Sequence, residues 1–417
     1  MNISIITLGS RGDVQPYLAL GLGLKEQGFN VKLLANENFK EFISDFNIDF
    51  HPIRGNVHEL VNSEAGKDLL ESGYSIKFIK KFTNIMSEYF DNFFDDMLEG
   101  TKGTDFIIFS PLCFVAQQVA EYLGVKSMTA NLQPFNRTNE LPSFMFPETF
   151  SFIPKYNLMT HLVFEQAVWQ SVRHTVNKNI VKKLNRPKIG FWGRRNELEK
   201  LKFPMIYGFS KYIIKRPNDW NKNHKITGYW FLDTQKNFKP EKELLKFLDT
   251  DKKIIYAGFG SMVNRNPEET SNMIIKSIKG LNVKLIIMTG WGGLSISDNY
   301  EDIHVVNQIP HDWIFPKINA VIHHCGAGTT SATLRAGIPS ISVPFFGDQP
   351  FWSNQIYKLG LSTKPINRKD LNSSNLREAI IESIANDNLI NRAKIISKKI
   401  NSENGISNAV ETIKQII

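Results

Sequence analysis

Apolar positions in the first half of the chain fall in short runs, Ile3–Leu8, Val31–Ala35, Phe106–Ser110 and Val125–Ala130, separated by stretches of helical periodicity. Alternation of this kind predicts a parallel β-sheet covered by helices. Between the first two runs, VQPYLALGLGLKEQ fits a helix over Val14–Gln27 that Gly28 stops. Gly21 and Gly23 fall inside that helix and not in the turn before it, so close packing of helix on sheet accounts for them better than a dinucleotide motif does. From about residue 139 to 203 the pattern changes. LPSFMFPETFSFIP (141–154) clusters Pro, Phe and Met, and a long helical stretch follows from Leu158 to Leu184.

Polar, turn-rich sequence then occupies residues 215–241, and the same alternation restarts beyond it. Strands are expected at Ile254–Phe259, Val283–Thr289, His304–Ile309, Ala320–His324 and Ser340–Pro344. The predicted fold class is α/β, two Rossmann-like parallel-sheet domains facing across a crevice with ligands at the carboxyl ends of the strands. The expected division is an acceptor-side domain over 1–215 carrying the aromatic insertion 139–203, a linker over 216–240, a second domain over 241–400, and a last helix over 401–417 packing back on the first domain. A length of 417 residues agrees with two domains.

Composition narrows the class. Hydrophobic residues make up 42% and charged residues 22%, without a low-complexity tract, which reads as a soluble enzyme. No apolar run reaches the roughly 18 residues of a membrane span, and the expectation is a cytoplasmic protein. Cys113 and Cys325 are far apart and match no metal spacing, so reduced, packed thiols are expected. The net charge of +9 is dispersed, with concentrations at Lys77–Lys81, Lys178–Lys188 and Arg194–Lys202. No stacking aromatics are interleaved on a recognisable module, which argues against nucleic acid. Solvated faces are the default for these stretches, and weak peripheral attraction to anionic lipid is the next reading, because apolar segments lie beside them.

The strongest signal is VIHHCGAGTTSATLRAGIPSISVPFFGDQPFW, residues 321–352. A strand ends in His323-His324, and Gly326-Ala327-Gly328-Thr329-Thr330 opens a helix. Glycines let backbone N–H groups approach an anion, the helix N-terminus adds positive potential, and the threonine hydroxyls add donors. That is a diphosphate site without need of a metal ion. A second strand leads to Asp348-Gln349, a pair suited to adjacent hydroxyls of a hexose.

This segment resembles the nucleotide-sugar signature of family-one glycosyltransferases with the GT-B fold, and His324 to Gln349 matches its spacing without gaps. The resemblance implies that His324, Gly326, Gly328 and Thr329 hold the diphosphate and that Asp348 and Gln349 hold the sugar. AGFGSM (257–262) resembles the loop that brings a hydroxyl to the diphosphate, here Ser261, and VNQIPHDW (306–313) the segment that packs on the base, here Val306 and Ile309. Relatives from plants stack the base on a tryptophan where this chain has Val306 and grip the ribose with a glutamate where it has Ala332. Trp291 is a substitute wall for the base or a packed surface aromatic. The wording is closest to sterol and microbial natural-product glucosyltransferases.

The opening turn, TLGSRGDVQP (7–16), raises a separate question, because a carboxylate is a poor neighbour for a phosphate. Asp13 reads either as a helix cap or as a base on the acceptor side. GDVQP aligns with the family's GHxxP-type turn, whose middle residue is the general base, and the resemblance therefore implies that role for Asp13. Members that use histidine support it with an aspartate whose place falls at about Ser110. Arg11 either pairs with Asp13 or points away from it, in a structural role, and His311 reads as a loop residue. Pocket walls for an apolar acceptor are expected from Phe144, Met145, Phe146, Phe150, Phe152 and Trp169.

The implied activity is inverting, metal-independent transfer of a hexose, glucose foremost, from a UDP-sugar to a hydroxyl of a sterol, polyketide or flavonoid. The UDP-sugar is a co-substrate, no cofactor is expected, and the protein is a monomer or weak dimer. Transfer of a deoxysugar from a TDP donor is the nearest alternative. A non-catalytic nucleotide-sugar-binding activator and an epimerase on the same fold are the others.

Overall fold

The computed structural model describes residues 1–55, 90–234, 238–260, 266–290, 294–295 and 300–417. The chain divides into two compact units. Unit 1 comprises Met1–Lys211, Lys215–Phe231 and Asn404–Ile417; unit 2 comprises Tyr212–Ile214 and Leu232–Glu403.

Unit 1 is built on seven strands in the order β3-β2-β1-β4-β5-β6-β7, all paired in parallel. They are β1 (Asn2–Ile6), β2 (Asn30–Asn36), β3 (Asp49–Ile53), β4 (Phe106–Phe109), β5 (Lys126–Asn131), β6 (Met205–Tyr207) and β7 (His224–Ile226). The four expected strands are β1, β2, β4 and β5. The other three gave weaker signals: β3 (DFHPI) contains a proline and lies at the sheet edge, and β6 and β7 are three residues each. Strand β7 lies inside the stretch 216–240 read as a linker, and the chain passes from unit 1 to unit 2 at Phe231–Leu232.

Helix α1 (Arg11–Glu26) begins three residues before the expected start. Gly21 sits where a Cβ would press into Ile48 at 2.8 Å and meet Ile5 and Val31 at 3.4 Å, the close helix-to-sheet approach read from the sequence. Gly23 faces the other way, against Ile406 of a C-terminal helix (Gly405–Lys414) that packs on α1 within unit 1. Helix α2 (Tyr156–Leu184) runs 29 residues and buries Trp169, Val172, Val176, Ile180 and Leu184 in a core shared with Phe94, Phe109 and Val119.

Unit 2 has five parallel strands in the order β10-β9-β8-β11-β12, namely β8 (Lys253–Gly258), β9 (Val283–Met288), β10 (Ile303–Val306), β11 (Ala320–His323) and β12 (Ser340–Ser342). All five were legible: the apolar runs of β8, β9, β11 and β12 are buried, whereas β10, at the sheet edge, is half-buried to exposed. Two helices follow the last two strands, α3 (Ala327–Ala336) and α4 (Gln349–Lys358). Both sheets have a point where strand order reverses about the first strand, β1/β4 in unit 1 and β8/β11 in unit 2. Loops leaving such a pair of strands diverge and leave room for a ligand between them.

Candidate functional site

In unit 2 the loops after β8 and β11 meet at that reversal. His324 follows the last residue of β11, and its Cε1–Nε2 edge lies between two glycines. A Cβ on Gly260 would stand 3.0 Å from Cε1, and one on Gly326 would stand 2.6 Å from Nε2. Gly260 has φ +59°, a conformation glycine adopts freely, so the site needs it for shape as well as for space. Cys325 sustains φ +63° between the histidine and Gly326. That kink turns the strand into α3, whose N-cap is Gly326.

Because Gly326 has no side chain to cap with, the first-turn amides of α3 have no side-chain partner from the cap, and the positive end of the helix is open to an anion. Thr329 is buried, and the Thr330 hydroxyl is fully buried without a hydrogen-bond partner among the described residues. Burial, and secondarily the charge of His311, lowers the His324 imidazole to about 4. Near pH 7 it is neutral and presents an N–H dipole, not a fixed charge. Its Nδ1 has no partner among the described residues. His323, lowered to about 3 by burial, accepts from the Cys325 amide at Nδ1 (3.2 Å), which assigns its proton to Nε2.

Asp348 and Gln349 leave β12, the strand paired with β11, so the second loop converges on the same sheet edge. Gln349 Oε1 accepts from the Phe345 amide (2.8 Å) and the Phe346 amide (3.3 Å), which closes the PFFGDQ loop on itself. Asp348 Oδ2 accepts from the indole N–H of Trp352 at 2.9 Å, and Trp352 is fully buried. One helical turn separates the two residues. Trp352 thus fixes the carboxylate expected to hold the sugar, a role the sequence signalled only through the i, i+4 spacing in GDQPFW.

Val306 and Ile309 join the core beneath β8–β10, and Ala332 packs against the same cluster. Both positions where the chain departs from the plant pattern, Val306 and Ala332, thus pack against one core cluster. His311 begins a short helix (His311–Ile314), stacked on Phe315 at 4.4 Å between centroids and 3.4 Å from the Tyr256 hydroxyl. Ser261 and Trp291 lie outside the described residues, as do Lys77–Lys81.

In unit 1 the corresponding turn is organised differently. Ser10 is the N-cap of α1 and Asp13 stands at N3. Both the amide and the hydroxyl of Ser10 donate to Asp13 Oδ2, at 2.8 and 2.9 Å. Thr7 Oγ1 donates to the Asp13 carbonyl at 2.9 Å. Gly9, at φ +132°, lies so near that a Cβ there would stand 2.7 Å from Asp13 Cγ. The carboxylate is half-buried. Ser110, the place of the supporting aspartate in members that use histidine, hydrogen-bonds through its amide to the Ile6 carbonyl at 2.9 Å. Ser110 carries no carboxylate and donates to Cys113 Sγ at 3.3 Å. Burial pushes the Cys113 thiol up to about 12 and the Tyr17 phenol well above its usual value, and the Asp13 charge adds to both. Neither group exchanges protons near pH 7. Arg11 donates to Gln15 Oε1 at 3.2 Å and lies over the Phe42 ring at 4.5 Å.

The residues expected to wall an acceptor pocket separate into two sets. Phe144 and Trp169 are buried, Phe144 edge-on to Phe135 and Phe164 and Trp169 donating to the Gly190 carbonyl at 3.1 Å. Met145 and Phe146 are half-buried, and Phe150 and Phe152 are exposed. Asp95 and Asp96 are engaged elsewhere, with Lys183 and Arg54 at 2.8 Å each. Among the described residues no group of three or more His, Cys, Asp or Glu side chains is gathered as a metal site, and no helix is long and apolar enough to cross a membrane.

Residues 3–142 match the glycosyltransferase family 28 N-terminal domain, and residues 285–415 match the erythromycin biosynthesis protein CIII-like C-terminal domain. Sterol 3-beta-glucosyltransferases of Debaryomyces hansenii and Komagataella phaffii are each 36% identical over 99% of this chain. The chain covers 26% and 34% of those two proteins, so it spans about a quarter to a third of the curated relatives it matches. Among solved structures, the glycosyltransferase of kitacinnamycin superimposes with a TM-score of 0.74 at 15% identity, over 99% of this chain and 98% of that one. The glycosyltransferase VinC in complex with DTDP does so with 0.64 at 14%, over 99% of each.

Proposed function

Because the chain has the fold of GT-B glycosyltransferases, we propose that it transfers glucose from UDP-glucose to a hydroxyl of a lipophilic acceptor, a sterol foremost. The acceptor class is supported by similarity, over 99% of this chain, to part of the sterol 3-beta-glucosyltransferases. The donor half of the reaction is supported by one observation above the others: His324 held between Gly260 and Gly326 at the uncapped N-terminus of α3.

In this reading the first-turn amides of α3, Thr329 and the neutral His324 take the diphosphate, and Asp348, held by Trp352, takes sugar hydroxyls with Gln349. The acceptor oxygen attacks the anomeric carbon as the bond from that carbon to the diphosphate oxygen breaks. The electron pair leaves with UDP, whose developing charge the helix N-terminus and His324 stabilise. Asp13 accepts the hydroxyl proton, a role consistent with a first-turn carboxylate favoured by the helix N-terminus. Attack opposite the leaving group inverts the anomeric centre. In this reading no metal ion or cofactor takes part, and the nucleoside diphosphate is itself the leaving group.

The test is product formation. The purified chain is incubated with UDP-glucose and with sterols, macrolides and flavonoids in turn, and products are read by mass spectrometry. A hexosylated sterol is the expected result. Transfer to a macrolide or flavonoid and not to sterols would overturn the acceptor class, and turnover with TDP-deoxysugars alone would overturn the donor.

A further inference from the structure

Helix α2 is apolar on two faces. One face is buried in the core of unit 1; the other carries Met159 and Val163, which are 54% and 50% exposed. At about 100° per residue, positions 159, 163, 166 and 170 fall within one stripe of the helix. Along it, Gln166 and Gln170 donate to the carbonyls of Trp192 and Phe191, at 3.1 and 2.6 Å. These bonds seat the Phe191-Trp192 pair at the far end of the stripe, the two rings 5.1 Å apart, with Trp192 69% and Phe191 54% exposed. At the near end, the turn preceding α2 presents Phe152 at 81% exposure and Ile153 at 45%. Six exposed apolar side chains are thus carried by α2, by the turn before it and by the loop hydrogen-bonded along it, over roughly 15–20 Å by the rise of α2 alone.

The border of the strip is basic. Lys155 is exposed at the start of α2, Lys188 is exposed three residues before Phe191, and the Arg173 guanidinium lies over the Phe191 ring at 5.1 Å. Of the acidic groups nearby, Glu165 is bound to Arg137 at 2.5 Å and Glu197 to Arg194 at 2.6 Å; Glu148 is half-buried. Exposed Phe and Trp beside unpaired positive charge is the chemistry of a water–bilayer boundary, where rings enter the headgroup layer and cations meet anionic lipid. A net charge of +9 acts in the same sense.

We propose that this strip of unit 1 docks the protein on the surface of an anionic phospholipid bilayer, through Phe152, Ile153, Met159, Val163, Phe191 and Trp192. The inference goes beyond sugar transfer and does not rest on it. Docking would set the acceptor-side unit at the layer where lipophilic hydroxyl compounds partition.

Co-sedimentation of the full chain with vesicles tests it, using phosphatidylcholine alone and phosphatidylcholine with about 30% phosphatidylserine. The expected result is binding to the mixed vesicles that is weaker on neutral ones, and that falls about tenfold or more in the Phe152→Glu, Trp192→Glu double variant, since two inserted rings are lost. Lipids brominated near the headgroup should quench part of the tryptophan fluorescence, and Trp192→Phe should remove that part while keeping the binding. These positions are exposed, and an unchanged melting temperature in the double variant separates lost docking from lost folding. Equal vesicle binding by the double variant and the unaltered chain would overturn the proposal. So would absence of vesicle binding with a concentration-dependent dimer that the double variant abolishes, which would make the strip a contact between two copies. Either result leaves glucosyl transfer in detergent solution as a separate question.

Discussion

The two glycine-containing turns, 7–13 in unit 1 and 323–329 in unit 2, use one backbone device for opposite purposes. Each follows a central parallel strand and opens a helix at a reversal of strand order. In unit 2 the N-cap is a glycine, which brings no side chain to the helix end. In unit 1 the cap is Ser10, and the chain supplies the anion itself as Asp13. A glycine-flanked turn therefore does not specify a phosphate site; the side chain in its first helical turn decides whether the positive end is open or already occupied.

The sharpest way to break this comparison is to neutralise the built-in anion. Asp13→Asn should lower turnover by about 100-fold or more, the usual contribution of a general base, while UDP affinity in calorimetry stays unchanged. Ser10→Ala separates the base from the cap: it removes one hydrogen bond to Asp13 Oδ2, at a cost of about 1 kcal/mol in stability, and keeps the carboxylate. If Asp13→Asn turned over as fast as Ser10→Ala, the two turns would differ only in their caps.

On the other side of the comparison, His324→Ala should weaken UDP binding itself by roughly tenfold or more, through the loss of a hydrogen bond to a charged group. Titration calorimetry reads it directly, and unchanged affinity would remove His324 from the diphosphate. A smaller effect is expected from Trp352→Phe, which keeps the ring and deletes the N–H on Asp348. About fivefold in KM for UDP-glucose, with little change in kcat, corresponds to one hydrogen bond of about 1 kcal/mol. An equal fall in stability and no change in KM would make the tryptophan a packing residue alone.

Acid distinguishes the units less. Each holds two buried histidines lowered to about 3 or 4 by burial: His161 and His224 in unit 1, His323 and His324 in unit 2. Their folded-state values lie below the unfolded value of about 6.5, so the unfolded chain binds more protons between those limits. Stability is present above about pH 6.5 and is lost as pH falls through that window. A melting temperature at pH 5 lower by a few degrees or more than at pH 7 is expected, and UDP should recover part of it. The smallest expected effect is none: EDTA should leave turnover intact, and activity lost to chelation and restored by Mg²⁺ would show that a metal serves the diphosphate in place of the bare helix end.

Much of the fold was legible because parallel strands buried on both faces leave unbroken apolar runs, as in Ile254–Phe259 and Val283–Thr289. Strands β6 and β7 escaped notice because three residues each carry too little periodicity, and β7, at the sheet edge, was hidden in polar sequence. The aromatic insertion was legible as a departure but not in its direction. Composition alone does not tell buried Phe144 and Trp169 from outward Phe152 and Trp192, since α2 is apolar on both faces.

What the sequence determined by itself was the local chemistry: a glycine turn into a helix at His324–Thr329, the Asp348-Gln349 pair, and a carboxylate in the first turn after β1. These depend on neighbours along the chain, and spacing carries them. Only the tertiary structure decided which of those groups meet and what they can do. It set His324 between glycines of the loops that leave two different strands, and it held Asp348 by Trp352. Burial, a property of the whole fold, made the imidazole of His324 neutral.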